Sequence, residues 1–201
     1  MTLGQFQKLR RLVLAVLLGL VFVGLLYIRP SWGDENVHEA VEAVGVGLIA
    51  IGIVGRMWCT LYIGGRKSVR IVTQGPYSAT RNPLYVFSSI AAAGLGAQTG
   101  SITVALLFVA GCAVAFHIVI LREEEFLERE FGAPYRVYKS NTPRFVPNFS
   151  KFSDLDELVV VPRKIYSTFF DGLIFFVGMP VLEYVEYLQD EGVLVPLLLL
   201  P

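Results

Sequence analysis

Five stretches of this chain are long, apolar and poor in charge, and that constrains its fold more than any other feature. Leu12–Ile28 carries no charged residue, and it approaches the roughly 20 residues a helix needs to cross about 30 Å of hydrocarbon. A second run, residues 41–64, holds Gly45, Gly47, Gly52 and Gly55, small residues that let helix backbones approach closely. Leu84–Gln98 and Ile102–Leu121 are separated only by Thr99, Gly100 and Ser101, which forces an antiparallel hairpin. Ile165–Leu188 returns to the same composition after a polar interval. The closing segment VLVPLLLLP is too short to cross and is expected to be re-entrant or interfacial.

Composition agrees: of 201 residues, 54% are hydrophobic and 17% charged, and the mean hydropathy is +0.59. That exceeds what one soluble core needs. The expected fold is all-α, a polytopic transmembrane helical bundle of about five membrane segments with a cytosolic cofactor-binding cap. Three regions are expected: N-terminal transmembrane helices over 1–63, a core with a helical hairpin and binding motifs over 64–150, and a C-terminal amphipathic and membrane segment over 151–201. The basic N-terminus and apolar run resemble a signal peptide, but no small-residue cleavage site follows, so the run reads as a retained span.

Charge supplies an orientation. Seventeen Lys and Arg balance seventeen Asp and Glu, which gives no reason to expect a nucleic-acid partner. Lys8, Arg10 and Arg11 precede the first span, and Arg66, Lys67, Arg70 and Arg81 lie between the second and third. The positive-inside rule therefore predicts a cytoplasmic N-terminus, with residues 64–83 and 122–164 on the same cytoplasmic face. A cytosolic cofactor would bind there. Cys59 and Cys112 lie in apolar runs and read as small hydrophobes, with neither a disulfide framework nor a metal site expected.

Within those polar segments, GPYSATRNPLY contains turn chemistry at Gly75, Pro76 and Pro83. The sequence EEEFLEREFGAPYRVYKSNTPRFVP opens with Glu123, Glu124 and Glu125 directly after an apolar span. Carboxylates at a membrane surface call for a cation or for partners such as Arg81 or Arg122. No glycine-rich loop joins a strand to a helix, so a Rossmann cofactor site is not expected.

The ordered pair of segments, from about Val69 to Pro147, resembles the isoprenylcysteine carboxyl methyltransferase and phospholipid methyltransferase superfamily. Val72, Thr73, Gly75, Tyr77, Arg81, Pro83, Tyr85, Glu123, Glu124, Leu127, Phe131, Gly132, Tyr135 and Tyr138 carry the match. The resemblance implies an enzyme that uses S-adenosylmethionine, yields S-adenosylhomocysteine, and takes a lipidic acceptor from the bilayer. It implies cofactor contacts from Val69, Arg70, Ile71, Val72, Tyr77, Asn82, Pro83, Leu84, Tyr85 and Glu123, with Arg81, Glu124 and Arg122 as catalytic candidates. Methyl transfer from a sulfonium is an in-line displacement that needs alignment and water exclusion, so no metal ligand is assigned.

Three positions depart from the family pattern. Asn82 and Val69 stand where histidines are common, which favours an acceptor that is already anionic, a carboxylate. Val119 stands where the prenylcysteine enzymes carry an arginine for the substrate carboxylate, a task left to Arg122 or Arg81. A phospholipid amine or a small thiol is the alternative acceptor. A non-catalytic scaffold and a small transporter are the alternatives of another class, the latter disfavoured because the polar motifs gather at one face. His117 inside the fourth span is read as a neutral histidine bonded between helices, and Asp171, Glu183 and Glu186 as packing or interfacial groups. Oligomeric state is not indicated.

Overall fold

The computed structural model describes residues 19–66 and 69–201. The first seven residues of the expected first span, 12–18, and Lys67 lie outside them, and residues 19–25 are helical. Helix α1 (Glu35–Ile63) begins at Asp34, whose side chain accepts from the Asn36 N–H, an ordinary N-cap. A single turn, α2 (Pro76–Ala79), leads into α3 (Pro83–Ala97). Helix α4 (Ile102–Phe131) starts at Ser101, which caps the Val104 N–H. Helix α5 (Ala133–Asn141) follows Gly132, and α6 (Pro162–Asp190) closes the bundle. Proline occupies the first turn of α2, α3, α5 and α6, where its missing N–H costs nothing.

Helices α1, α4 and α6 are each long and apolar enough to cross a membrane, and α3 is a shorter apolar helix. Their outward faces carry Ile51, Val54, Leu106, Val114, Ile118, Phe170, Ile174 and Val177, all exposed. Water would penalise such a surface, whereas lipid accepts it. The 30-residue α4 spans about 45 Å at 1.5 Å per residue, so its charged last turns project beyond the hydrocarbon. This is an all-α integral membrane protein.

Packing centres on α1 against α3, where small residues bring the backbones together. A Cβ added at Gly52 would lie 2.5 Å from the Ala91 Cβ and 2.8 Å from the Phe87 carbonyl oxygen; one at Gly94 would lie 2.5 Å from the Gly45 carbonyl oxygen. Gly45 and Gly55 are pressed in the same way, against Gln98 and Phe87. Gly47 differs, since it faces open space and takes no part in the seam. Helices α3 and α4 form the expected antiparallel hairpin, and α6 packs on α1.

The chain order places the two ends of the bundle apart. The motif loops, the end of α4 and the start of α6 gather at one end; Ile28–Pro30, the start of α1 and the end of α6 gather at the other. There the C-terminal segment, too short to cross, takes an extended form. Leu198–Leu200 (β2) forms a parallel two-stranded sheet with Ile28–Pro30 (β1), and the Pro201 carbonyl oxygen accepts from Thr103 N–H and Ser101 Oγ. Unpaired backbone groups beside lipid are costly, and this pairing supplies their partners.

The seam gives a direct test. Gly52→Val should lower thermal stability in detergent by about 1–3 kcal/mol, the usual range for overpacking. Gly47→Ala should be neutral or slightly stabilising, because an exposed helical glycine costs up to about 1 kcal/mol relative to alanine.

Candidate functional site

The site is assembled where Gly75 turns the chain back over α1. Gly75 has φ +59°, and an added Cβ would lie 2.3 Å from the Tyr62 ring, so both conformation and space demand glycine. The turn is held by Gly75 N–H donating to the Ser153 carbonyl (2.8 Å) and Ser153 N–H donating to Ser78 Oγ (3.0 Å). Below it, Tyr77 joins Cys59 and Tyr62 in a buried cluster with Val72, Leu84 and Phe87 packed against it. Cys59 thus serves as a buried apolar group.

At the centre stands Glu124, 4% exposed. Arg144 approaches it in a fork, Nε to Oε1 at 3.2 Å and Nη2 to Oε2 at 2.7 Å. Arg81 Nη2 lies 3.2 Å from Oε1, and Lys139 Nζ 3.9 Å from Oε2. Lys139 is shared with Glu128 at 3.0 Å. Arg81 also donates to the Lys139 carbonyl, while Asn82 and Thr80 donate to the Arg144 carbonyl, each at 3.1 Å. One carboxylate thereby ties α4 to both motif segments, through bidentate and charge-assisted bonds that are strong when buried. The sequence had singled out Arg81 and Glu124 but not Arg144, whose position in a proline-rich loop carries no local signal.

One helical residue earlier, Glu123 Oε2 accepts from the Tyr85 hydroxyl at 3.0 Å, and the Tyr85 ring packs on Phe116 at 4.7 Å between centroids. Tyr77 is 5% exposed, and its buried hydroxyl has no hydrogen-bond partner among the described residues. Burial pushes the Tyr77 hydroxyl well above its ordinary pKa, and the neighbouring Cys59, Tyr138, Glu123 and Tyr85 add to the rise. Burial likewise raises Tyr138, and it pushes Tyr135 up to about 12 with help from Glu124. All three tyrosines are neutral donors at physiological pH. The Tyr138 hydroxyl is used by the Tyr77 carbonyl at 2.8 Å.

Other sequence candidates lie elsewhere. Asn82, Pro83 and Leu84 start α3 beside this cluster, whereas Val69 and Arg70 are exposed, with Val69 at 74%. Arg122 is exposed and forms no ion pair among the described residues. His117 is also exposed and, among the described residues, lacks the interhelical hydrogen bond expected of it, because it falls on the outer face of α4. Asp171 is exposed too. An open cleft of about 660 Å³ begins at Arg81 and runs over Lys139, Asn148 and Lys151, a volume within the range of small-molecule sites. At the opposite end of the bundle, Glu186, read from the sequence as a packing or interfacial group, meets His38: His38 Nε2 lies 3.2 Å from Glu186 Oε1 and 3.3 Å from Glu42 Oε1.

The orphaned Tyr77 hydroxyl and the Tyr85 and Glu123 pair fit a polar cofactor carrying hydroxyl and cationic groups. Stability separates the two carboxylates. Glu124→Ala, which leaves Arg81 and Arg144 without their counter-ion, should cost about 3–5 kcal/mol in denaturation measurements. Arg129→Ala, which breaks only the exposed pair with Glu125, should cost less than about 1 kcal/mol.

Comparison with known proteins gives the chain a family. Residues 41–134 match the phospholipid methyltransferase family. The nickel-cobalt-cadmium resistance protein NccN of Alcaligenes xylosoxydans xylosoxydans is 35% identical over 187 residues, covering 92% of this chain and 87% of the relative. The cobalt-zinc-cadmium resistance protein CzcN of Cupriavidus metallidurans is 33% identical over 180 residues, covering 89% and 82%. No solved structure matches the chain significantly. From helix α1 through the start of α5, the chain belongs to the phospholipid methyltransferase family, within the superfamily that includes the isoprenylcysteine carboxyl methyltransferases.

Proposed function

We propose that the protein transfers a methyl group from S-adenosylmethionine to a lipidic acceptor, most directly a carboxylate, at the motif end of the bundle. The observation that carries this reading is the Tyr77 hydroxyl, buried and without a partner. Buried polar groups are nearly always bonded, and an exception calls for a ligand. Tyr85 and Glu123 stand beside it, the carboxylate suited to the donor's ribose hydroxyls or amine and the rings to its sulfonium. The cleft that begins at Arg81 gives a water-soluble donor its entrance, and the apolar helices give the acceptor its route.

Glu124 is engaged with both Arg81 and Arg144, and Arg81 also with the Lys139 carbonyl, so the role of Arg81 and Glu124 is positioning. They hold the α3 start against the 139–144 segment. Arg122, exposed beside Glu123, is the guanidinium left to meet an acceptor carboxylate, in place of the arginine that Val119 replaces. A carboxylate oxygen already carries the attacking lone pair at neutral pH, so the site needs no general base. The donor supplies an electrophilic methyl; the residues orient both partners and exclude water. The basic segments support a cytoplasmic location for this end.

The relatives are named for resistance to nickel, cobalt, zinc and cadmium, and we place the transfer in that setting. Esterifying a carboxylate removes a negative charge and a metal ligand together, which lessens divalent-cation binding at the membrane.

Calorimetric titration of the detergent-purified protein with S-adenosylmethionine and S-adenosylhomocysteine tests the donor site. Tyr77→Phe deletes a hydroxyl with no protein partner, so it should leave the melting temperature unchanged and weaken donor binding about tenfold, the worth of one good hydrogen bond. Glu123→Ala should weaken it at least as much. Absence of donor binding by the parent protein would rule the reading out.

A further inference from the structure

At the end of the bundle remote from the motif loops, three potential ligands from two helices converge. His38 and Glu42 lie one turn apart on α1, and Glu186 reaches them from α6, 148 residues away in sequence from His38. Their ligand atoms all lie within 4.8 Å of one another. We propose that His38, Glu42 and Glu186 bind one divalent transition-metal ion of the zinc, cobalt and nickel class.

Distance is the first argument. Nitrogen and carboxylate oxygen ligands stand about 2.0–2.2 Å from such an ion, which in tetrahedral geometry separates the ligand atoms by about 3.4 Å. The two gaps from His38 Nε2 are 3.3 and 3.2 Å. Little rearrangement would be needed.

Charge is the second. Among the described residues, neither Glu42 nor Glu186 forms an ion pair with Lys or Arg, and Glu183 adds its negative field from the preceding turn of α6. Arg29, the nearby cation of this end, is engaged with Asp190 at 2.5 Å. One imidazole is therefore the basic partner of two carboxylates, and a single Nε2–H cannot point at both oxygens. A metal ion accepts all three groups at once and leaves the imidazole neutral.

Rigidity is the third. Gly100, at φ +67°, lies flush against the imidazole, so closely that an added Cβ would stand 2.0 Å from His38 Nδ1. The Trp32 indole N–H donates to the Gly100 carbonyl at 2.9 Å and holds that turn in place. The ring is thus fixed with Nε2 directed at the carboxylates. The side chains of His38, Glu42 and Glu186 are 15%, 27% and 36% exposed, which leaves an ion a path in. One imidazole with two carboxylates suits borderline divalent metals, and three protein ligands leave a coordination position open.

The test uses the full chain, purified in detergent with a histidine-free tag and stripped by chelator, titrated with cobalt(II) chloride while the visible d–d absorption is followed. One saturating equivalent and a metal-dependent rise in melting temperature are expected. His38→Gln, Glu42→Gln and Glu186→Gln should each weaken binding at least about tenfold, and His117→Ala should leave it intact. Because the glutamine variants keep size and shape, metal-free melting curves near the parent's would show that they fold. No saturable cobalt binding by the parent, or binding unchanged in all three cluster variants, would overturn the proposal. Neither outcome bears on methyl transfer at the other end.

Discussion

The buried carboxylate of Glu124 is the point on which the motif end depends. A helix that leaves the membrane, a turn that enters the next helix and a proline-rich loop meet here, and the apolar cluster around Tyr77 includes neither the α4 end nor residues 142–147 of that loop. Glu124 joins them with Arg81, Arg144 and Lys139. A buried ion pair adds little net stability compared with a well-packed apolar pair, but breaking it is costly. Its contribution here is to join three segments at one buried carboxylate. That arrangement sets Tyr77, Tyr85 and Glu123 side by side.

Inside the membrane the hydrophobic effect gives little drive for helix association, and close packing takes over. The seam of α1 on α3 answers this with Gly45, Gly52, Gly55, Gly94 and Ala91 in near contact. The same seam fixes both candidate sites. At one end it sets Cys59 and Tyr62 beneath Tyr77. At the other it sets the first turns of α1 beside Gly100, where His38 rests.

The long spans were legible because an uncharged run of that length has few other folds, and the α3–α4 hairpin because its linker is so short. The meeting of Tyr85 with Glu123, and of Arg81 with Glu124, followed the order of the family motifs. Other features depend on contacts far apart in sequence. The strand pairing of Leu198–Leu200 with Ile28–Pro30 has no local pattern to announce it. Arg144 reads as a loop residue until the fold brings it to Glu124. His38 and Glu42 show helical spacing, but Glu186 joins them only through the packing of α6 on α1. His117 illustrates the converse: hydropathy places it in a span without saying which face of the helix it occupies.

The account's central claim is that a water-soluble methyl donor meets a membrane-borne acceptor at the Tyr77, Tyr85 and Glu123 end. The most direct measurement is methyl transfer itself. Protein in lipid nanodiscs is supplied with methyl-labelled S-adenosylmethionine and a membrane lipid extract, and label is counted after partition between organic and aqueous phases. The account predicts label in the organic phase as a base-labile ester, lost with Glu123→Ala. Donor binding without any label in the organic phase would contradict it.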